Sequence, residues 1–287
     1  MSYQRRASPL HAARAAAGLA WCLALAAAAL LLSAPLALAA LTLAIGLAGF
    51  AAHVGAQMRR AALFGTAFGV LVMVINALVT RDGLTVIWRF GQLPVLGQVD
   101  VTLEATVYGA VLGLRAVALV LVAALYTAAV DPDEVLRLFR PVSFRSALTA
   151  TLATRMVPVL ARDARRLADA QRCRPGRPAT RLQLMRAATT GVLDRALDVA
   201  AALEVRGYGA ARRPRRTRDP YSRHDLAFIV SSAVVLGVAI GARVADLAPF
   251  AAYPSLRASP GAAEVGVACA LVVCALLPFA DRRGIER

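Results

Sequence analysis

The 287-residue chain contains no lysine: all 33 basic residues are arginine, set against 17 acidic ones, for a net charge of +16. Histidines number three and aromatic residues make up only 6%. The four cysteines, Cys22, Cys173, Cys269 and Cys274, form no C-x-x-C pair, so neither a zinc site nor a disulfide framework is expected. His11, His53 and His224 lie near the edges of apolar runs, apart from the carboxylates Asp82, Asp100 and Glu104. No metal-ligand spacing results, and no acid–base pair for a membrane enzyme. A glycine-rich phosphate loop with its lysine is also missing, so the chain is not expected to hydrolyse ATP, bind a cofactor or act as an enzyme.

What the chain has is apolar length. Hydrophobic residues make up 59%, with a mean hydropathy of +0.62, above the 45–50% typical of soluble domains. Six apolar runs predict an all-α polytopic membrane bundle of about six spans: Ala15–Leu32, Leu36–Ala52, Ala61–Val79, Val107–Val130, Leu226–Ala242 and Val265–Ala280. The first two are short, and Pro35 separates them. They are rich in alanine, with Gly46 and Gly49, a composition that permits close packing or a locally thinner bilayer. The connection Thr80–Thr106, with Trp88, Phe90 and Pro94, is too apolar for a plain loop and predicts an interfacial or re-entrant segment. Arg115 lies inside the fourth run. An intramembrane arginine is either functional or bonded to backbone carbonyls or Glu104, and the sequence leaves both open.

Arginine placement orients the bundle. Asp131–His224 alone carries 20 arginines against nine acidic residues, while the opposite side holds only Arg81, Arg89 and Arg257, with Arg243 at a run's end. Cytoplasmic loops attract arginine, so both termini and this stretch are expected inside the cell. A nucleic-acid partner is not needed to explain the charge; the lipid bilayer is. The arginine-rich run Ala211–Arg223 fits anionic lipid heads. Three segments follow: 1–130 with four spans, 131–224 as a cytoplasmic region, and 225–287 with two spans.

The cytoplasmic region begins at Asp131-Pro132-Asp133-Glu134, where Asp131 suits an N-cap, Pro132 the first helical position and Glu134 a capping box. A short helix, Glu134–Phe139, stops before Pro141. One long amphipathic helix is predicted from Phe144 to Arg172, with a stripe of Leu148, Leu152, Met156, Val159, Leu160 and Leu167. Pro158 should kink it. A second runs from Arg181 to Val205, where Leu182, Met185, Thr189, Val192, Ala196, Val199 and Leu203 form a seam, widened by Leu193 and Leu197. The matching stripes predict that the two helices pack on each other. Gly207 should end the second helix in a left-handed cap. Each helix finishes on arginine. Such a residue either complements the helix dipole or projects a planar cation toward an acidic partner.

Gln171-Arg172-Cys173-Arg174 and Glu204-Val205-Arg206-Gly207-Tyr208 resemble the paired Ala-Arg-Gly motifs of energy-coupling factor (ECF) transporter T components, the family of EcfT- and CbiQ-like subunits. Asn76, Gly83, Thr102 with Glu104, Arg115, Asp131-Pro132 and Arg155-Met156-Val157-Pro158 agree in order. The first motif departs by reading Cys-Arg-Pro and the second by reading Val-Arg-Gly. The resemblance implies a multi-pass protein of a prokaryotic plasma membrane that couples two ABC-type ATPases to a substrate-binding S component for vitamin or metal-ion uptake. ATP would be bound by the ATPases. Arg174 and Arg206 would dock into them, with Cys173, Pro175, Gly176, Val205 and Gly207 shaping the tips. Gln171, Arg172, Glu204, Arg155, Pro158 and Arg115 would support them. Other readings are an ordinary ABC importer permease, or a membrane tether for an acidic cytoplasmic partner.

Overall fold

Strings of alanine, leucine and valine long enough to cross hydrocarbon are helical in the computed structural model, because only a helix satisfies every backbone group of an isolated segment. The structure describes residues 6–80, 85–93, 97–138, 144–173, 180–208, 221–247, 249–251, 257–258 and 261–281. The helices are α1 (Pro9–Ala12), α2 (Ala15–Leu31), α3 (Pro35–Ala51), α4 (Gly55–Val79), α5 (Leu103–Ala129), α6 (Pro132–Leu138), α7 (Phe144–Arg172), α8 (Arg181–Val205), α9 (Arg223–Val244) and α10 (Ala262–Leu276). A 3-10 turn, Leu277–Phe279, extends α10. The all-α membrane bundle expected from the sequence is what forms. Among the described residues four helices are long and apolar enough to cross a membrane: α4, α5, α9, and α10 with its extension. Helices α2 and α3, at 17 residues each, are about 26 Å long, slightly less than the roughly 30 Å of hydrocarbon.

Two small hairpins sit on this framework. Strands β1 (Val86–Leu93) and β2 (Gly97–Thr102) pair antiparallel in the outer connection, with Val86 opposite Thr102 and Leu93 opposite Gly97. A hairpin therefore occupies the place where the sequence predicts an interfacial or re-entrant segment; its valines and alternating residues suit a pleated strand. Strands β3 (Phe250–Ala251) and β4 (Arg257–Ala258) form a second, minimal pair. At the end of the first hairpin Thr102 caps α5 by accepting from Ala105 N at 3.3 Å, and buried Glu104 accepts from Thr85 N at 3.2 Å and Thr85 Oγ1 at 2.8 Å.

The chain divides into two units, 1–135 with 221–287, and 136–220. The first is the membrane bundle. Three of its aromatics, Trp21, Phe228 and Phe279, meet edge to face with centroids 5.4–5.7 Å apart. Trp21 Nε1 donates to Ser231 Oγ at 3.1 Å, and Ser231 Oγ donates to Cys274 O at 2.7 Å, so α2, α9 and α10 share one buried polar chain.

Helices α4 and α5 approach through glycine. A methyl group placed on Gly113 would lie 2.5 Å from Gly69 O; one on Gly69 would lie 2.9 Å from Gly113 O, and one on Gly109 2.9 Å from Met73 O. Gly69 and Gly113 thus face each other in antiparallel helices, while Gly65 meets Val117 and Val120 and Gly109 meets Met73 and Asn76, a small-residue contact of the kind that replaces hydrophobic driving force in lipid. In α3, Gly49 packs against Met58, whereas Gly46 faces open space, so only one of those two glycines serves close packing.

The second unit holds α7 and α8, whose described bounds coincide with those predicted. Helix α7 continues through Pro158. The segment 139–143, with Pro141, lies outside the described residues, as do Arg81, Asp82, Gly83, Pro94, the basic run 209–220 and residues 282–287. The short helix α6 starts at Pro132 rather than Glu134 and ends at Leu138. Asp131 Oδ1 accepts from Asp133 N at 2.9 Å, as an N-cap should. Glu134, expected to close a capping box, instead accepts from Ala15 N of α2 at 3.2 Å. A foreign helix N-terminus there offers a free donor and a favourable dipole.

Candidate functional site

Helix α8 is built to stand by itself at its ends. Thr180 opens it with a complete capping box: its hydroxyl accepts from Gln183 N at 3.4 Å, and Gln183 Oε1 accepts from Thr180 N at 3.0 Å. At the other end Gly207 takes φ 76°. Tyr208 N then donates to Leu203 O at 2.8 Å and Gly207 N to Glu204 O at 2.9 Å. This pair of reversed bonds is a Schellman motif, which needs a left-handed residue and therefore favours glycine. The left-handed cap predicted at Gly207 is present. Its consequence is that Arg206 sits at the last position before the chain turns back, exposed, with Val205 beside it 90% exposed. A guanidinium held there on a rigid helix end offers planar, bidentate hydrogen bonding to a carboxylate.

The tip of α7 is described as far as Cys173. Gln171 is half-buried, Arg172 and Cys173 are exposed, and Cys173 N donates to Asp169 O at 3.2 Å. Arg172 pairs with Asp169 at 3.4 Å, an exposed contact of little energetic weight. Arg174, Pro175 and Gly176 lie outside the described residues. Gln171, Arg172 and Cys173 therefore share one tip, and Glu204, Val205, Arg206 and Gly207 the other. Arg155 and Pro158 are exposed at mid-helix and join neither tip.

Packing between α7 and α8 departs from the predicted seam. Asp163 and Arg195 bridge the two helices at 3.0 Å. The stripe of α7 is half-buried, but on α8 Leu182, Met185, Val192, Leu193 and Leu197 stay exposed. A heptad-like pattern records that a face is apolar enough to be covered; it does not record which surface covers it.

Arg115, in the membrane bundle, has a clear local role. Its Nε donates to Ala29 O at 3.1 Å and its terminal nitrogen to Leu32 O at 2.8 Å. Both carbonyls belong to the C-terminal end of α2, where no intrahelical donor remains. Of the two partners left open by the sequence, backbone carbonyls are the ones observed. Replacing Arg115 by Leu leaves those carbonyls unpaired inside the bundle, at roughly 1–3 kcal/mol each. A clear drop in the thermal midpoint of the purified chain is expected, and Arg115→Lys should recover part of it.

Two residues, Asp225 and Tyr221, escaped the sequence reading, and a third, Glu134, has a partner other than the one its position suggests. Asp225, 1% exposed, accepts from Arg14 N at 2.7 Å and from Ser222 N at 2.8 Å, and faces Arg14 Nε at 3.4 Å. Tyr221 lies under the Arg14 guanidinium, 5.0 Å from ring centroid to carbon. Glu134 completes the group on Ala15 N. The signal was present as acidic residues at the first turns of α6 and α9, but each had a plausible local use in its own helix. Among the described residues no cluster of three His, Cys, Asp or Glu side chains could hold a metal ion.

No curated protein matches the chain. A family model described as CbiQ, cobalt transport protein, matches residues 6–217, from the first described helix through both arginine tips. That match covers most of the sequence and both units, and with the apolar helices it establishes a membrane protein of transport complexes that work with ATPases. The chain belongs to the CbiQ family of cobalt transport proteins, membrane components of ECF-type transporters.

Proposed function

We propose that this chain is the energy-coupling scaffold of an ECF-type importer. Its cytoplasmic unit receives movement from two ABC-type ATPases, and its membrane unit passes that movement to a substrate-binding S component that delivers cobalt, or another metal ion or vitamin, to the cell. The observation that carries this reading is Arg206, exposed on a helix end that Gly207 caps and turns. Arg174 is the corresponding residue of the other tip. ATP binds the partner ATPases, and this chain needs no cofactor. The arginine asymmetry of the sequence supports both termini and the coupling unit lying in the cytoplasm, and the resemblance to ECF T components implies a prokaryotic cell. The open apolar face of α8 supports contact with an apolar partner in the assembled complex.

Co-expression with candidate ABC ATPases from its own genome tests the proposal. A stable detergent-soluble complex that hydrolyses ATP, and that drives Co2+ accumulation when a candidate small substrate-binding membrane protein from that genome is added, is the expected result. A chain that purifies folded but captures neither ATPase sinks it.

A further inference from the structure

Helix α2 has no side-chain cap of its own: Arg14 occupies its N-cap without a side-chain bond. Both of its ends are instead closed by residues from elsewhere in the sequence. At its start, Arg14 N donates to Asp225 and Ala15 N to Glu134. At its end, Arg115 takes the carbonyls of Ala29 and Leu32. Carboxylates at the N-terminus and a guanidinium at the C-terminus both complement the helix dipole. Energetically this makes α2 a strut pinned at both ends.

The positions of the two carboxylates give the strut a second meaning. The coupling unit is residues 136–220. Glu134 lies two positions before it, and Asp225, with Ser222 and Tyr221, lies immediately after it. The chain therefore leaves the membrane bundle and returns to it through segments that bind consecutive amides of a single helical turn. Apolar packing reinforces one side: Ala15, Val130 and Val135 are buried together with Leu19 and Tyr126 against them. The stack of Tyr221 on Arg14 reinforces the other.

We infer that the first turn of α2, gripped by Glu134 and Asp225, is the fulcrum through which movement of the coupling unit enters the membrane bundle. This rests on the coupling role proposed above. Displacement of either connecting segment, besides acting along the chain on α5 or α9, pulls on Arg14 or Ala15 through these hydrogen bonds. The rigid helix carries it to the Arg115 contact on α5. Glu134 and Asp225 act as anchoring residues: they touch neither substrate nor ATPase.

The double variant Glu134→Gln, Asp225→Asn removes both charges while keeping side-chain shape. In proteoliposomes holding the full complex, ATPase capture and hydrolysis should stay near wild type. Radiolabelled Co2+ taken up per ATP should fall at least about fivefold, the scale of a 1 kcal/mol coupling. Unchanged uptake per ATP, or loss of ATPase capture together with uptake, overturns the fulcrum. A wild-type chain that fails to capture ATPases overturns the coupling role itself. Should the variant not fold, hydrogen exchange in the wild-type complex decides the matter. Peptides covering Arg14 and Ala15 should stay protected in both the ATP-trapped and the ADP state while those of 136–220 change. Opening of the α2 turn in either state overturns the proposal.

Discussion

Arg206→Glu is expected to cost the purified chain its hold on the ABC ATPase. A buried interfacial arginine contributes on the order of 2 kcal/mol or more, so affinity should fall by about 30-fold even before the reversed charge repels an acidic groove. Uptake should fall with it, whereas the thermal midpoint of the chain alone should fall only slightly, because Arg206 is exposed and only its interaction with the helix dipole, worth about 0.3–1 kcal/mol, is reversed. Arg174→Glu tests the other tip, and the double variant should lose ATPase capture altogether. Gly207→Ala separates charge from geometry. It keeps Arg206 but places a Cβ at φ 76°, a strain of about 1 kcal/mol, or roughly fivefold in affinity. Pull-down of the ATPase against a titration of variant chain reads both effects. Equal capture by wild type and Arg206→Glu removes the docking assignment, leaving Arg206 as a dipole partner for its own helix.

Gly113→Val should damage the membrane bundle more than any substitution in the coupling unit. The atom it meets first is Gly69 O, a backbone group that no rotamer change can move aside. Helices α4 and α5 would have to separate along the row Gly65, Gly69, Gly109 and Gly113. Overpacking a filled contact costs typically 1–3 kcal/mol, and here the close packing it disrupts is also what holds the helices together in lipid. Expected results are a lower yield of inserted protein, a broadened size-exclusion peak and a thermal midpoint depressed by several degrees. Gly46→Ala and Gly241→Ala are the matched controls. An added methyl meets nothing within 4 Å at either site, and alanine favours the helix by about 1 kcal/mol over glycine. Their midpoints should hold or rise. A Gly113→Val chain as stable as these controls contradicts the close approach of α4 and α5.

Much of the coupling unit was readable along the chain because its signals are local. Gly207 closes α8, and Asp131-Pro132 starts α6. Each works through bonds to neighbours four residues away or fewer, so spacing alone identifies them. The family resemblance rested on the same local motifs and placed Arg206 where the helix does end. Helix α4 began earlier than the apolar run, at Gly55, because Arg59 and Arg60 are good helix formers whose polarity marks the bilayer edge, not the helix end.

Long-range partners were not readable. Glu134 had a satisfying local use in α6, yet it bonds Ala15, 119 positions away. A G-x-x-x-G repeat such as Gly65–Gly69 or Gly109–Gly113 does not by itself say which helix it faces. Helix α8 shows the same limit from the opposite side: its apolar period predicted a seam with α7, and among the described residues Val199 and Leu203 of that seam are half-buried while Leu182, Met185, Val192, Leu193 and Leu197 stay exposed.

Composition and hydrophobic period by themselves determined a polytopic α-helical membrane protein with an arginine-rich pair of amphipathic helices between its apolar runs, since hydrocarbon admits only helices whose backbone bonds close internally. Only the tertiary structure decided how short α2 is held. Its orphan amides and carbonyls require donors and acceptors from somewhere. Glu134, Asp225 and Arg115 become those partners only once folding brings together residues far apart in the chain.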